Sequence, residues 1–183
     1  GQVGLPNISA VLRGKKVADP RTGLTAWSEN SALIAADRLR DATYGLGAQA
    51  LEVPSDELIA AANLCDEAVA LDALGATQPR YTYNGSFTTD AAPLESLRAI
   101  AGSMAGSIVW TQGRWLIRPG AYRAPSDTWT EDALAGAAPT HTPKAPRANL
   151  FNAVRAVYRD PTQAWAEVQA PLVSNAYYQA QDG

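Results

Sequence analysis

Few side chains in this sequence could do chemistry, and their spacing gives them little to work with. His141 is the one histidine and Cys65 the one cysteine of 183 residues. A zinc centre draws its ligands from His, Cys and carboxylates. Without a second His or Cys a metal would depend on several acidic groups, so no metal is expected. Cys65 falls on the apolar stripe of an expected helix, where burial raises a thiol's pKa and hides it from substrate. The nucleophile-elbow pattern Gly-x-Ser-x-Gly is absent, and in the nearest run, Gly102-Ser103-Met104-Ala105-Gly106, the serine is misplaced. That run reads as a small-residue helix end. The pairs Asp56-Glu57 and Asp66-Glu67 are neighbours in sequence, and helical neighbours point about 100° apart, so neither makes a glycosidase dyad by itself. Gly45-Leu46-Gly47 lacks both the third glycine and the Lys-Ser/Thr ending of a phosphate cradle, and no cofactor is expected.

Aromatic side chains are the other candidates, with five tryptophans and seven tyrosines. Such rings can stack on sugars, but Trp110 and Trp115 read more simply as a cross-strand core pair. Trp129, Trp165, Tyr177 and Tyr178 lie in less regular context and are expected as an exposed contact surface, although packing against loops would use them equally well. Asn7-Ile8-Ser9 and Asn84-Gly85-Ser86 match the glycosylation tripeptide, a pattern too short to carry weight.

Charge narrows the partners. Lys plus Arg number 15 against 18 Asp plus Glu, a net charge of −3. A broad cationic surface that neutralises phosphates is therefore not expected. Of the apolar residues, 36 are alanines, which favour helix but bury little area each. No apolar run approaches the roughly 18 to 20 residues of a membrane span, and Gly1-Gln2-Val3-Gly4 has no signal-peptide character. The missing initiator Met points to an internal segment of a longer protein.

Periodicity then places the elements. A hairpin is expected over Ile8–Arg13 and Lys16-Val17, turning at Gly14-Lys15, followed by a tight Asp19-Pro20-Arg21-Thr22-Gly23 turn. Asn30 caps a helix with Ala32, Ala35, Ala36, Leu39 and Ala42 on one side, Asp37, Arg38, Arg40 and Asp41 largely on the other, and Gly45 as its stop. A second helix is expected from Ser55 to about Val69, then a connector over 72–79 and a strand over Arg80–Asn84. Pro93 and Glu95 open a third helix closed by Gly106. Gln112-Gly113 turns a hairpin in which Trp110 faces Trp115 and Ile108 faces Ile117, and that face is expected to pack on the third helix. From Pro119 to Arg147 the chain reads as extended loop, with one helical turn near Glu131–Leu134. Strand character returns at Leu150–Tyr158 and Trp165–Val168. The expected fold is α+β: a small hairpin plus two helices over residues 1–78, then a helix-covered antiparallel sheet over 79–183 built from the strands near 80, 108, 114, 150 and 165.

Ordered blocks of sequence carry a family likeness. Gly14-Lys15-Lys16-Val17-Ala18-Asp19-Pro20-Arg21-Thr22-Gly23 and Ala26-Trp27-Ser28-Glu29-Asn30 resemble the central region of the tail tip attachment, or host-specificity, proteins of long-tailed phages. Ala60–Glu67, Arg80–Gly85, Met104–Ser107 and Gly113–Tyr122 continue the likeness in the same order, as do Asn149–Arg155, Tyr158–Pro161 and Ser174-Asn175-Ala176. The runs Asp72–Gln78 and Ser126–Lys144 have no matching block.

The resemblance implies a tail-hub-like fold and a non-enzymatic structural role. In such hubs three copies surround the tail axis, join the tail tube to the tip and leave a path for the ejected genome. The implied partners are further copies of the same protein, forming a trimer at full length, and neighbouring tail proteins. DNA would pass without specific binding, and this segment would bind no membrane. Its place would be the virion tail tip, and the bacterial cytoplasm before assembly. Receptor recognition belongs to C-terminal parts outside this segment. Two other readings are a tail-associated cell-wall hydrolase, using Glu57 or Asp66 with a second carboxylate, and a carbohydrate-binding module using Trp129 or Trp165.

Overall fold

Asp19 organises the first element of the computed structural model, which describes residues 10, 12–71, 75–125, 127–133 and 151–182. Its Oδ1 accepts the Arg21 N–H at 2.9 Å, its carbonyl accepts the Gly23 N–H at 2.9 Å, and Gly23 takes a φ of 71°. This turn closes β1 (Val17–Asp19) on β2 (Leu24–Ala26), with Val17 opposite Ala26. The hairpin therefore lies later than the sequence implies. Leu12–Lys16 form no strand, while Ile8, Ser9 and Val11 fall outside the described residues. The later turn wins because it combines a side-chain acceptor with a left-handed glycine, a pairing that Gly14-Lys15 lacks.

Asn30 caps α1 (Ser31–Arg40) as expected, its Oδ1 accepting from the Ala32 and Leu33 amides at 3.0 and 3.2 Å. The helix ends five residues before Gly45. Asp41 Oδ1 accepts the N–H groups of Thr43 and Tyr44, both at 2.9 Å, and this local alternative to the helical ladder turns the chain away. Gly45 remains essential at the crossing, where a Cβ would lie 1.9 Å from the Arg38 carbonyl oxygen.

Lys15 Nζ lies 2.8 Å from both Asp37 and Asp41. The Lys15 hydrogen bond, followed by the Tyr44 and Thr43 amides, holds the Asp41 carboxyl well below the usual carboxylate range. A carboxyl depressed in the folded state adds stability above its unfolded pKa and loses it as pH falls through the folded value. Urea midpoints are accordingly expected to drop between about pH 6 and about pH 2, and Asp41→Asn to flatten part of that slope. The difference should be under about 1 kcal/mol, because Lys15 is 59% exposed and solvent screens the pair.

Helix α2 (Ser55–Asp66) carries Asp56 and Glu57 in its first turn, where the macrodipole favours them. It stops short of Val69. Residues Ala68–Ala70 instead form β3, paired with β4 (Thr77–Pro79), so the last three residues of the expected connector are a strand, while 72–74 lie outside the described residues. The Arg80 amide donates to Glu67 O at 2.8 Å and the Tyr81 amide to Cys65 O at 3.0 Å, drawing the returning chain along the helix end. Of the expected strand over Arg80–Asn84 only Thr82 pairs, bridging Asn30.

Pro93 opens α3 (Pro93–Ser103), and the helix closes in a Schellman motif. The Ala105 amide donates to Gly102 O at 3.1 Å, the Gly106 amide to Ala101 O at 2.9 Å, and Ala105 takes a left-handed φ of 45°. Strands β5 (Ser107–Thr111) and β6 (Arg114–Arg118) follow. Positive φ values at Gln112 (51°) and Gly113 (74°) make a type I′ turn, and the register pairs Trp110 with Trp115 and Ile108 with Ile117.

One cluster of buried side chains joins α1, α2 and α3 to this hairpin. Leu33, Leu39, Leu58, Cys65, Ile100 and Met104 are almost wholly inaccessible, with Val17, Val53 and Ile117 beside them.

Contacts group the chain as Gly1–Ala124 and Pro125–Gly183, and the β3–β4 ribbon spans residue 78 within the first unit. In the second unit Glu131–Ala133 form a 3₁₀ turn. There β7 (Ala153–Val154) pairs with β10 (Val173–Ser174), and β8 (Val157–Asp160) pairs with β9 (Ala166–Gln169). Helix α4 (Ala176–Asp182) is the last described element, capped by Asn175 Oδ1 on the Tyr177 and Tyr178 amides.

The molecule is thus α+β, but its strands do not merge into one sheet. Among the described residues they form five two-stranded antiparallel ribbons. Strands of two to five residues offer few ladder bonds to a third partner, and Pro79 has no N–H to donate.

Candidate functional site

The register of β5–β6 turns Ile108, Trp110, Trp115 and Ile117 to one face, beside α3. An open groove of about 530 Å³ runs between helix and hairpin, lined by Leu94, Leu97, Arg98, Ala101, Ile108 and Trp115 among others. Burial falls along this face from Ile117 towards the turn. Ile117 is buried, Ile108 and Trp115 are half-buried, and Trp110 is 48% exposed. Trp110 and Trp115 do pair, with centroids 5.2 Å apart and planes at 58°, but only Trp115 lines the groove and packs on the core, while Trp110 stands outside it, so the expected core pair is half realised. The turn end of the hairpin receives less cover than the end joined to the helix. On the opposite face Leu116 is buried and Val109 is not.

At the β1–β2 turn the charged groups are committed to one another. Arg21 reaches Asp19 at 2.7 Å, Asp66 at 2.8 Å and Asn63 Oδ1 at 3.2 Å, strapping the β1–β2 turn to α2. Arg21 also holds the Asp19 carboxyl below its usual range. Asp66, one of the carboxylates considered for hydrolysis, is therefore an ion-pair member, and Glu57 sits in the first turn of α2. Arg38 departs from the sequence expectation of a polar outer side. It is 4% exposed, its Nε donates to Ser96 Oγ at 2.8 Å, and its guanidinium carbon lies 3.8 Å from the Phe87 ring centroid. The ridge of α1 that carries it faces α3, so an alanine-rich helix buries a charge on its second side.

Cys65 is fully buried, and burial pushes its thiol up to about 11. Thiolate is the reactive species. Native protein near neutral pH is expected to resist iodoacetamide while urea-unfolded protein labels at once, a contrast that intact mass spectrometry reads directly. His141 lies outside the described residues. Among those residues, no three His, Cys, Asp or Glu side chains stand close enough to hold a metal ion. No helix among them is long and apolar enough to cross a membrane.

The four aromatic candidates all belong to the second unit. Trp129 is 78% exposed, Tyr177 and Tyr178 are exposed, and Trp165 is half-buried with a left-handed φ of 64°. Among the described residues the structure brings together only Tyr177 and Tyr178, edge to face with centroids 5.5 Å apart, and Gln181 Nε2 donates to the Tyr177 hydroxyl at 2.9 Å. No described residue of this unit is buried. The α3 groove was invisible in the sequence, because it depends on how far the hairpin slides along the helix.

Fold and surface together define a mixed α+β chain with a three-helix core in its first unit and outward-facing apolar side chains in its second. No family model matches it, and no curated protein matches it.

Proposed function

We propose that this chain is a structural segment of the central hub at the tail tip of a long-tailed phage or prophage, joining tail tube to tip without catalysing a reaction. The observation that carries this reading is the surface of the second unit. Phe151 (78%), Val173 (73%), Tyr177 (67%) and Val157 (60%) stand in solvent there, beside no buried described residue. Large apolar side chains left exposed in this number, in a unit with no buried described residue, favour a surface that another molecule covers. The resemblance carried by the ordered sequence blocks supports reading that molecule as further copies about a threefold axis and neighbouring tail proteins. A net charge of −3 suits a wall that DNA passes without being held. The hub reading places the protein in the virion tail tip, and in the bacterial cytoplasm beforehand.

Native mass spectrometry and electron microscopy of the intact parent protein test the reading. Trimers and density at the tail tip are the expected result. Monomers with no place in any tail would overturn it, as would reproducible clearing of cell-wall substrate in a zymogram.

A further inference from the structure

We propose that Arg38 and the first turn of α3 form a seat for a single oxyanion, a carboxylate or phosphate group, closed by the Phe87 ring. This inference stands independently of the hub reading. Arg38 is 96% buried by its 4% exposure, yet it takes part in none of the ion pairs among the described residues, and its helix neighbours Asp37 and Asp41 are engaged by Lys15. Its Nε is committed to Ser96 Oγ, which in turn donates to Pro93 O at 2.7 Å, so the guanidinium rests against the start of α3. Its Nη1 is buried and has no hydrogen-bond partner.

A guanidinium carries five donors and no acceptor, and a buried cation without counter-charge is costly. The Phe87 ring offsets part of that cost through its π face. A ring cannot satisfy an N–H that lies in the guanidinium plane. With Nε occupied, the Nη edge remains, and that fork matches the two oxygens of a carboxylate or phosphate. The start of an eleven-residue helix adds positive potential, and Ala92 caps it with no side-chain acceptor. Glu95, the acidic residue of that turn, is exposed. Phe87 is itself 46% exposed on a segment without regular structure.

The test is an NMR titration of the Arg38 side-chain N–H signals in the full ¹⁵N-labelled chain. Inorganic phosphate and acetate are added separately, with ionic strength held constant by chloride. A saturable shift with either probe is expected, and the probe that saturates identifies the preferred oxyanion. Phe87→Ala removes the competing ring and should lower the half-saturating concentration by roughly 3- to 10-fold. Arg38→Met should fold, because an apolar replacement for an unpaired buried ion is tolerated. It should also abolish the saturable response of the surrounding α3 amides. Ser96→Ala, which frees Nε, provides a second variant expected to weaken binding severalfold. Shifts that rise linearly with both probes, or that persist unchanged in Arg38→Met, would overturn the proposal.

Discussion

Asn30→Ala is expected to destabilise the first unit by about 2 kcal/mol, the sum of two separable losses. The first is the cap itself, since Oδ1 accepts from the Ala32 and Leu33 amides, and an alanine in its place typically costs about 1 kcal/mol. The second is specific to this fold. Asn30 Nδ2 donates to Ala62 O at 2.9 Å with the residue only 3% exposed, so truncation removes a buried link between α1 and α2 worth about 1 kcal/mol, while the carbonyl keeps its place in the α2 ladder. Asn30→Asp separates the two. It keeps the cap oxygen but faces the Ala62 carbonyl with an acceptor, so it should be no better than alanine. Ordinary capping alone would make aspartate as good as asparagine. Urea denaturation of the three proteins decides between these outcomes.

Gly106→Ala should have a larger effect, about 3 kcal/mol, for a steric reason. A Cβ there would lie 2.2 Å from the Arg118 carbonyl oxygen and 2.9 Å from the Pro119 Cα, and neither backbone atom can rotate away as a side chain could. The same place is pinched from the other side, where a Cβ on Gly120 would meet the Ala105 carbonyl oxygen at 2.3 Å. The Gly120 amide also donates to Met104 O at 2.9 Å, and the Tyr81 hydroxyl donates to Gly120 O. Forcing this crossing apart should loosen α3 against β5–β6 together, seen as a lower melting temperature and as more solvent-exposed tryptophan emission from Trp115. Gly102→Ala, on the same helix, meets nothing within 4 Å and should leave both unchanged or add slightly to stability.

Where a local motif settles its own geometry, the sequence predicted the structure closely. The Asn30 cap, Pro93 at the head of α3 and the Gln112-Gly113 hairpin with its register all rest on contacts within a few residues, so their signals are complete in the sequence. Competition between local motifs was harder to weigh. Gly14-Lys15 and Asp19–Gly23 both look like turns, and only the second closes a ribbon. At the end of α1, Asp41 overrode Gly45 as the stop. The Asn175 cap that starts α4 is of the same kind as Asn30 and could have been read, but no apolar periodicity follows it over the short stretch Ala176–Asp182. The groove beside α3 and the burial of Arg38 are tertiary outcomes. Charge at Arg38 argued for water, and only the approach of Ser96 and Phe87, 58 and 49 residues further along the chain, gives it an interior place.

The separation of the ribbons bears on how the protein acquires its shape. In four of the five, each strand pairs with its neighbour in sequence, and only β7 and β10 must find each other across an intervening hairpin. Loop closure over such short separations is entropically cheap, and folding speeds up as contacting residues lie nearer along the chain. Each ribbon can close soon after its second strand leaves the ribosome, leaving the joining of the three helices as the slow search during synthesis.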